Sequence, residues 1–396
     1  MQAFIQYTPT EIIFGKGTQE RTGEFLKKYK GQSVFLVYGG GSIKDTGLYD
    51  NILKQLEEES ISVCTFGGVK PNPLLSHACE GIKKAIEHKA DFILAVGGGS
   101  VIDTAKAIAI GAANPQIDIW KVWKREENFS TILPVGVVLT IAAAGSETSQ
   151  SAVLTNSNTG EKRGFTNELM RPCFAIMNPE LIYTLSKYQV GCGITDIMMH
   201  TLDRYFSKAE GNDLTDEIAA ALMRTVIRYA EKLIENPSDY DAASEIMWCG
   251  SLSHNGLTGL GRPMDFSVHQ LGHELGGQFD VAHGAALATM WASWARYCYK
   301  EDEARFAQYG RKVWNIDRDG DKSNEDVAKE AIQRTEEFFA KIGMPTCFSE
   351  LGIGKQKDEI LEEMATKCVF YGKRLIGNFK ELDKEDIMKI YKMANH

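Results

Sequence analysis

The stretch Phe92-Ile-Leu-Ala-Val-Gly-Gly-Gly-Ser-Val-Ile-Asp103 decides the fold class. Its first five residues are a short apolar run, the pattern of a strand buried on both faces, and the glycines end that run before a helical pattern begins. Glycine lets a backbone approach a pyrophosphate closely. The N-terminus of the following helix adds unpaired N–H groups and a positive dipole end. The same order occurs upstream in Val34-Phe-Leu-Val-Tyr-Gly-Gly-Gly-Ser-Ile43, and two such turns at successive strand ends point to a nucleotide site. Neither completes G-x-G-x-x-G, because Lys44 and Ile102 take the last position, so the ordinary dinucleotide fingerprint is absent. Position 39 carries no acid to hold a ribose 2′-hydroxyl. Gly39, with Ser42 and Lys44 nearby, leaves room and donors for a 2′-phosphate.

Working outward, residues 62–66 read as a third strand, and residues 51–58 and 78–86 as the crossover helices that a parallel sheet requires. Ile52, Leu53 and Leu56 mark the apolar face of the first helix, Ile82 and Ile86 that of the second. Residues 1–185 are therefore expected to form an α/β N-terminal dinucleotide-binding domain. From residue 186 the strand signals fade. Residues 214–235 place Ile218, Leu222, Val226, Tyr229 and Leu233 on one stripe, with Arg224, Arg228 and Lys232 facing water. Residues 186–396 are expected to be an all-α C-terminal metal-binding domain. Residues 317–326 imitate a calcium loop, but Lys322 stands where Gly is needed and Ala328 where the bidentate Glu is needed. A solvated turn capping the next helix is expected there.

A length of 396 residues favours two domains. The net charge of -9, without a basic cluster, argues against nucleic acid and anionic membrane as partners. The start lacks a signal-peptide pattern, and no stretch reaches the roughly 18 apolar residues of a membrane span. A cytoplasmic protein with small-molecule partners is expected. Eight cysteines without a CxxC pair fit neither a disulfide framework nor a thiolate zinc site.

The second constellation comprises Asp196, His200, His269, His273 and His283. Asp196 and His200 lie at i and i+4, as do His269 and His273, so each pair shares a helix face. Five candidates exceed the three or four ligands a protein normally supplies, and one of them falls outside the first coordination sphere. One carboxylate with imidazoles suits zinc or iron(II). His254 reads as a structural hydrogen-bonder.

Together with Pro71-Asn-Pro73, Gly145-Ser-Glu147 and Gly193-Ile-Thr-Asp-Ile-Met-Met-His200, these motifs resemble the iron-containing (group III) alcohol dehydrogenases over nearly the whole chain. Tyr38-Gly-Gly-Gly-Ser-Ile-Lys44 is similar to the cofactor motif of the NADP-dependent butanol dehydrogenase and broad aldehyde reductase branch. The resemblance implies a dehydroquinate synthase-like fold, a homodimer and exchange of hydride between NADP, with NAD second, and a small aliphatic alcohol or aldehyde. It implies Asp196, His200, His269 and His283 as ligands of iron(II) or zinc, with His273 beside the reacting carbon, and His273, or a water it orients, is the candidate for proton exchange with solvent. It implies cofactor contacts from Gly39, Ser42, Asn72, Gly98, Gly99, Ser100, Asp103, Thr140, Ser146, Lys162 and Leu181. Ala144 departs from the family's usual Thr, Asn178 from Asp, Ser186 from Pro and Asp203 from Glu. Residues 10–14 read as a strand able to pair across a two-fold axis. Two rival functions are a non-redox cyclising synthase, which would need basic residues near the metal motifs where only Arg262 stands between Leu252 and Val281, and a non-catalytic nucleotide sensor.

Overall fold

The computed structural model describes residues 1–208, 211–317 and 319–396. They form two compact units, Tyr7–Thr184 and Leu185–His396, the second of which takes in Met1–Gln6. The Gln2 N–H donates to the Gly261 carbonyl at 2.9 Å and ties the first residues to that unit.

The strands of the first unit are β1 (Glu11–Phe14), β2 (Ser33–Tyr38), β3 (Ser62–Phe66), β4 (Phe92–Gly97), β5 (Val135–Leu139), β6 (Ser151–Asn156), β7 (Glu161–Thr166) and β8 (Phe174–Met177). Six of them form a sheet in the order β1-β8-β5-β4-β2-β3, all parallel, while β6 and β7 pair as an antiparallel hairpin. β4 is buried along its length and β2 from Val34 onward, as the continuous apolar runs require of strands covered on both faces. Helix α1 (Leu48–Glu58) leads from β2 out to β3, α2 (Leu75–Glu87) returns past β2 to β4, and α3 (Gly99–Ala113) leaves β4 toward β5. The chain thus reverses its travel across the sheet between β2 and β4. At such a switch point a crevice opens beyond the carboxyl ends of the strands, and both glycine turns stand there.

The buried face of α2 differs from the one expected. Ile86 is exposed, and Ala78, Gly81 and Ala85 are the buried residues. Close approach to α3 is the reason. A Cβ on Gly81 would stand 2.4 Å from Ile108, and one on Gly111 2.3 Å from Ile82, so each isoleucine fills the gap left by the opposite glycine. The hairpin escaped the pattern because β7, Glu-Lys-Arg-Gly-Phe-Thr, is polar. It is held by Ala152, Leu154 and Phe165, which join Trp120 and Trp123 in a buried cluster.

In the second unit α4 (Lys187–Tyr205) starts with a capping box between Ser186 and Gln189. α5 (Asp213–Glu235) buries Leu222, Val226 and Leu233, but Arg224, expected to face water, donates to the Lys312 carbonyl at 2.7 Å. α6 (Tyr240–His254), α7 (Ser267–Phe279) and α8 (His283–Cys298) follow, with further helices as far as Ala394. In the acidic turn Ser323 caps the helix Asn324–Lys341 by accepting from the Asp326 N–H; Arg318 of that turn lies outside the described residues. No helix among the described residues is long and apolar enough to cross a membrane, and all eight cysteines are free thiols.

The approach of α8 to α4 fixes the helix ends that matter below. A Cβ on Gly284 would lie 2.1 Å from the Cys192 carbonyl oxygen, backbone against backbone. Gly284→Ala is therefore expected to force the two helices apart at a cost of about 1–3 kcal/mol, measured as a lowered thermal midpoint of the metal-free protein. An unchanged midpoint would show that the contact is not tight.

Candidate metal and dinucleotide sites

Helical spacing puts Asp196 and His200 on one face of α4 and His269 and His273 on one face of α7, while His283 opens α8. The Asp196 Oδ1 oxygen lies 3.4 Å from His200 Nε2, 3.7 Å from His269 Nε2 and 3.8 Å from His283 Nε2. Ligand atoms of Asp196, His200 and His269 all fall within 4.8 Å of one another, and these three residues are buried. His273 is buried too, its ring 6.5 Å from that of His269 and 5.3 Å from that of His283.

Asp196 Oδ1 and His269 Nε2 are buried without any hydrogen-bond partner. An unpartnered buried carboxylate oxygen and ring nitrogen are costly in a protein interior, and a divalent cation relieves both. The donor set of one carboxylate and imidazoles fits zinc or iron(II). Burial, reinforced by the neighbouring His254 and His269, holds His200 well below the ordinary imidazole range, hence neutral. Burial also works against a charge on His269, but the nearby Asp196 and Asp203 carboxylates outweigh it and raise its pKa.

Asp203 was not singled out in the sequence as part of a site. Its Oδ2 lies 2.5 Å from His269 Nδ1, with both side chains buried. An acceptor there holds the proton on Nδ1, so that Nε2 presents its lone pair toward Asp196. Arg204 was also missed. It donates to the His200 carbonyl at 2.6 Å and to His254 Nδ1 at 2.8 Å, and its guanidinium lies 4.8 Å from the centre of the Phe266 ring. Burial lowers its pKa to about 10, which still leaves it charged at neutral pH. The available signal was position: Asp203 and Arg204 follow His200 by three and four residues on the same helix. Phe266, in the left-handed region at φ 58°, precedes α7 and places its ring 5.0 Å from His269. Arg262 is engaged elsewhere, paired with Asp216 at 2.5 Å.

In the α/β unit Gly39, Gly40 and Gly41 follow β2, and Gly98, Gly99 and Ser100 follow β4 at the head of α3. Beside Gly40 and Gly41 a Cβ would meet nothing within 4 Å, and beside Gly39 and Gly99 nothing closer than 3.6 Å, so these backbones are open to a ligand. Gly98 is different: its missing Cβ makes room for Ile141, at 2.7 Å. Ser42 is exposed at the start of a single helical turn, and Lys44 lies over the rings of Tyr38 and Tyr49. Asn72 accepts a hydrogen bond from Lys162 Nζ at 2.8 Å, bringing those two candidates together. The Thr140 N–H donates to the Gly97 carbonyl at 3.1 Å. Both oxygens of Asp103 are engaged within the protein, by the Ser146 hydroxyl at 2.7 Å and the Val153 N–H at 3.0 Å. Leu181 packs against the sheet core, in the cluster that contains Tyr38 and Ile43.

Comparison with known proteins gives consistent matches along the chain. Residues 9–179 match the family model described as iron-containing alcohol dehydrogenase, and residues 192–395 the C-terminal model of the same family. The chain is 40% identical to NADH-dependent butanol dehydrogenase A of Clostridium acetobutylicum, with all of both chains covered. It is 34% identical to the NADPH-dependent aldehyde reductase YqhD of Escherichia coli, again over the full length of both. The crystal structure of NADH-dependent butanol dehydrogenase A from Thermotoga maritima superimposes with a TM-score of 0.95 at 33% identity, covering 100% of this chain and 99% of that one.

The Asp203–His269 hydrogen bond yields a measurable expectation. Asp203→Asn keeps the shape but removes the carboxylate charge that favours the proton on Nδ1, and is expected to weaken metal affinity about 10- to 100-fold, measured by chelator competition. Affinity equal to that of the unaltered protein would show that Asp203 does not orient His269.

Proposed function

Because the chain belongs to the iron-containing alcohol dehydrogenase family, we propose that it is a metal-dependent, NADP(H)-preferring dehydrogenase of small aliphatic primary alcohols and reductase of the matching aldehydes. The observation that carries this reading is the convergence of His200, His269 and His283 on a buried Asp196 oxygen that has no hydrogen-bond donor. Asp196, His200, His269 and His283 would hold the ion, iron(II) or zinc. When bound, that ion lends Lewis acidity to a substrate oxygen and the nicotinamide gives or takes the hydride.

The remaining work belongs to the chain. Burial of Asp196, His200 and His269 excludes water and strengthens every charge interaction among them. Asp203 orients His269, and Arg204 offsets the carboxylate charge from behind His200. We assign to His273 the exchange of the alcohol proton with solvent. The crevice at the switch point and the open glycine turns support dinucleotide binding, with Gly39, Ser42, Asn72, Gly98, Gly99, Ser100, Thr140, Ser146, Lys162 and Leu181 around it. Asp103, saturated by Ser146 and Val153, acts there through Ser146. The absence of an acid at position 39, with Ser42 and Lys44 close by, supports NADP over NAD. The relatives include both NADH- and NADPH-dependent enzymes. Engagement of Arg262 by Asp216 argues against a synthase that must hold a charged sugar derivative. β1, an edge strand, supports a homodimer.

Two measurements test this reading. Purified protein with butyraldehyde is expected to oxidise NADPH faster than NADH, to stop after chelation and to recover with iron(II) or zinc. A fully metallated protein that oxidises neither cofactor with any aldehyde would overturn it. Gly39→Asp is expected to lower kcat/KM for NADPH on the order of a hundredfold through like-charge repulsion while sparing NADH. Equal effects on the two cofactors would reject the proposed 2′-phosphate site.

A further inference from the structure

Lys106 is a fully buried lysine in the second turn of α3, and its ammonium group has no carboxylate hydrogen-bonded to it. Nζ instead donates to the carbonyl oxygens of Ser146 at 2.7 Å, Ser149 at 2.9 Å and Ser151 at 2.8 Å, and lies 3.0 Å from the Ser146 hydroxyl. Burial draws its pKa down to about 8, opposed by the charges of Asp103 and Glu147, so the group is cationic at neutral pH. Three carbonyl dipoles pointed at one spot repel one another. Lys106 holds the segment between β5 and β6 in this shape: without it the Ser149 and Ser151 carbonyls lose the ammonium as donor, and the Ser146 carbonyl keeps, among the described residues, only the Ser149 N–H at 3.4 Å.

The same segment borders the glycine turn. Thr140 hydrogen-bonds to the Gly97 carbonyl, Ile141 fills the space beside Gly98, and Ala144 faces Gly99. Ser146 is fixed twice, by Lys106 through its carbonyl and by Asp103 through its hydroxyl. Asp103 and Lys106 both project from α3, whose first residues are Gly99 and Ser100. One helix therefore supplies one wall of the crevice and grips the segment that forms the other.

We propose that Lys106 is a positioning residue of the dinucleotide site, its ammonium group shaping residues 140–151 so that Thr140 and Ser146 stand beside the turn at Gly98, Gly99 and Ser100. This rests on the dinucleotide reading above. Lys106 touches no cofactor atom in this account; it acts through the backbone it holds.

The test is a fluorescence titration of the whole protein with NADPH and with NADH, in parallel with steady-state kinetics. The proteins compared are the unaltered chain, Lys106→Met, Lys106→Gln and, as a destabilised control on the same helix, Ile110→Ala. Lys106→Met is expected to raise the Kd for the preferred cofactor by about tenfold or more, as misplacement by a fraction of an ångström does. Lys106→Gln, which can still donate, should fall between. KM for the cofactor should rise with Kd, while kcat at saturation and metal content stay within about twofold. Ile110→Ala should lower the thermal midpoint and leave Kd unchanged. A Lys106→Met Kd within twofold of the unaltered protein overturns the proposal. So does an Ile110→Ala Kd shifted as far as that of Lys106→Met, or failure of both lysine variants to fold, since either makes Lys106 a residue of the fold alone. If the unaltered protein binds neither dinucleotide, the dinucleotide reading fails and this inference fails with it.

Discussion

A carboxylate oxygen buried at Asp196 with no proton donor is the constraint on which the helical unit turns. Left alone, that arrangement opposes folding, because a charge removed from water needs a partner. Three ring nitrogens approach the oxygen, and one of them, His269 Nε2, is itself unpartnered. The surrounding groups oppose the interior's preference for neutrality in opposite senses. Asp203 adds negative charge behind His269, and Arg204 adds positive charge behind His200. The site is thus a small array of buried charges whose sum is set by residues one layer out from the ring nitrogens.

The α/β unit meets a similar difficulty with opposite sign. There a buried ammonium, not a buried carboxylate, has been removed from water, and backbone carbonyls answer it. In both places the polar groups organise irregular or sterically demanding backbone: the segment after β5 around Lys106, and the left-handed Phe266 ahead of α7. The Asp265 carboxylate secures the latter by accepting from the Ser267 N–H on one side and the Asn378 and Phe379 N–H groups on the other.

How much of this was legible in the sequence depends on what each residue does. The short apolar runs that became β2 and β4 were readable, because a strand covered on both faces has no other composition, whereas the run at residues 62–66, expected to be buried as well, lies at the sheet edge as β3 with only Phe66 buried. The i, i+4 spacings of Asp196 with His200 and of His269 with His273 were readable as shared helix faces. Asp203, Arg204 and Lys106 were not, since charged side chains on amphipathic helices ordinarily face water and nothing local marks those that do not. Ile86 misled for the complementary reason: an apolar side chain predicts burial, but here glycine and alanine allow the closer approach and take the contact face. β7 was hidden because its pairing depends on packing by distant tryptophans, not on its own alternation.

The reciprocal contact of α2 with α3 has a mechanical consequence. Ile108 sits where Gly81 lacks a side chain, and Ile82 sits where Gly111 lacks one, so the two helices are keyed together at two points along their length. Sliding α3 along its axis by even a fraction of a turn would drive both isoleucines into backbone at once. Axial travel of α3 is therefore blocked unless α2 moves with it, and the glycine turn at its head inherits that rigidity. Opening of the crevice at that turn is thereby left to the segments around α3 or to α2 and α3 travelling together as one keyed pair.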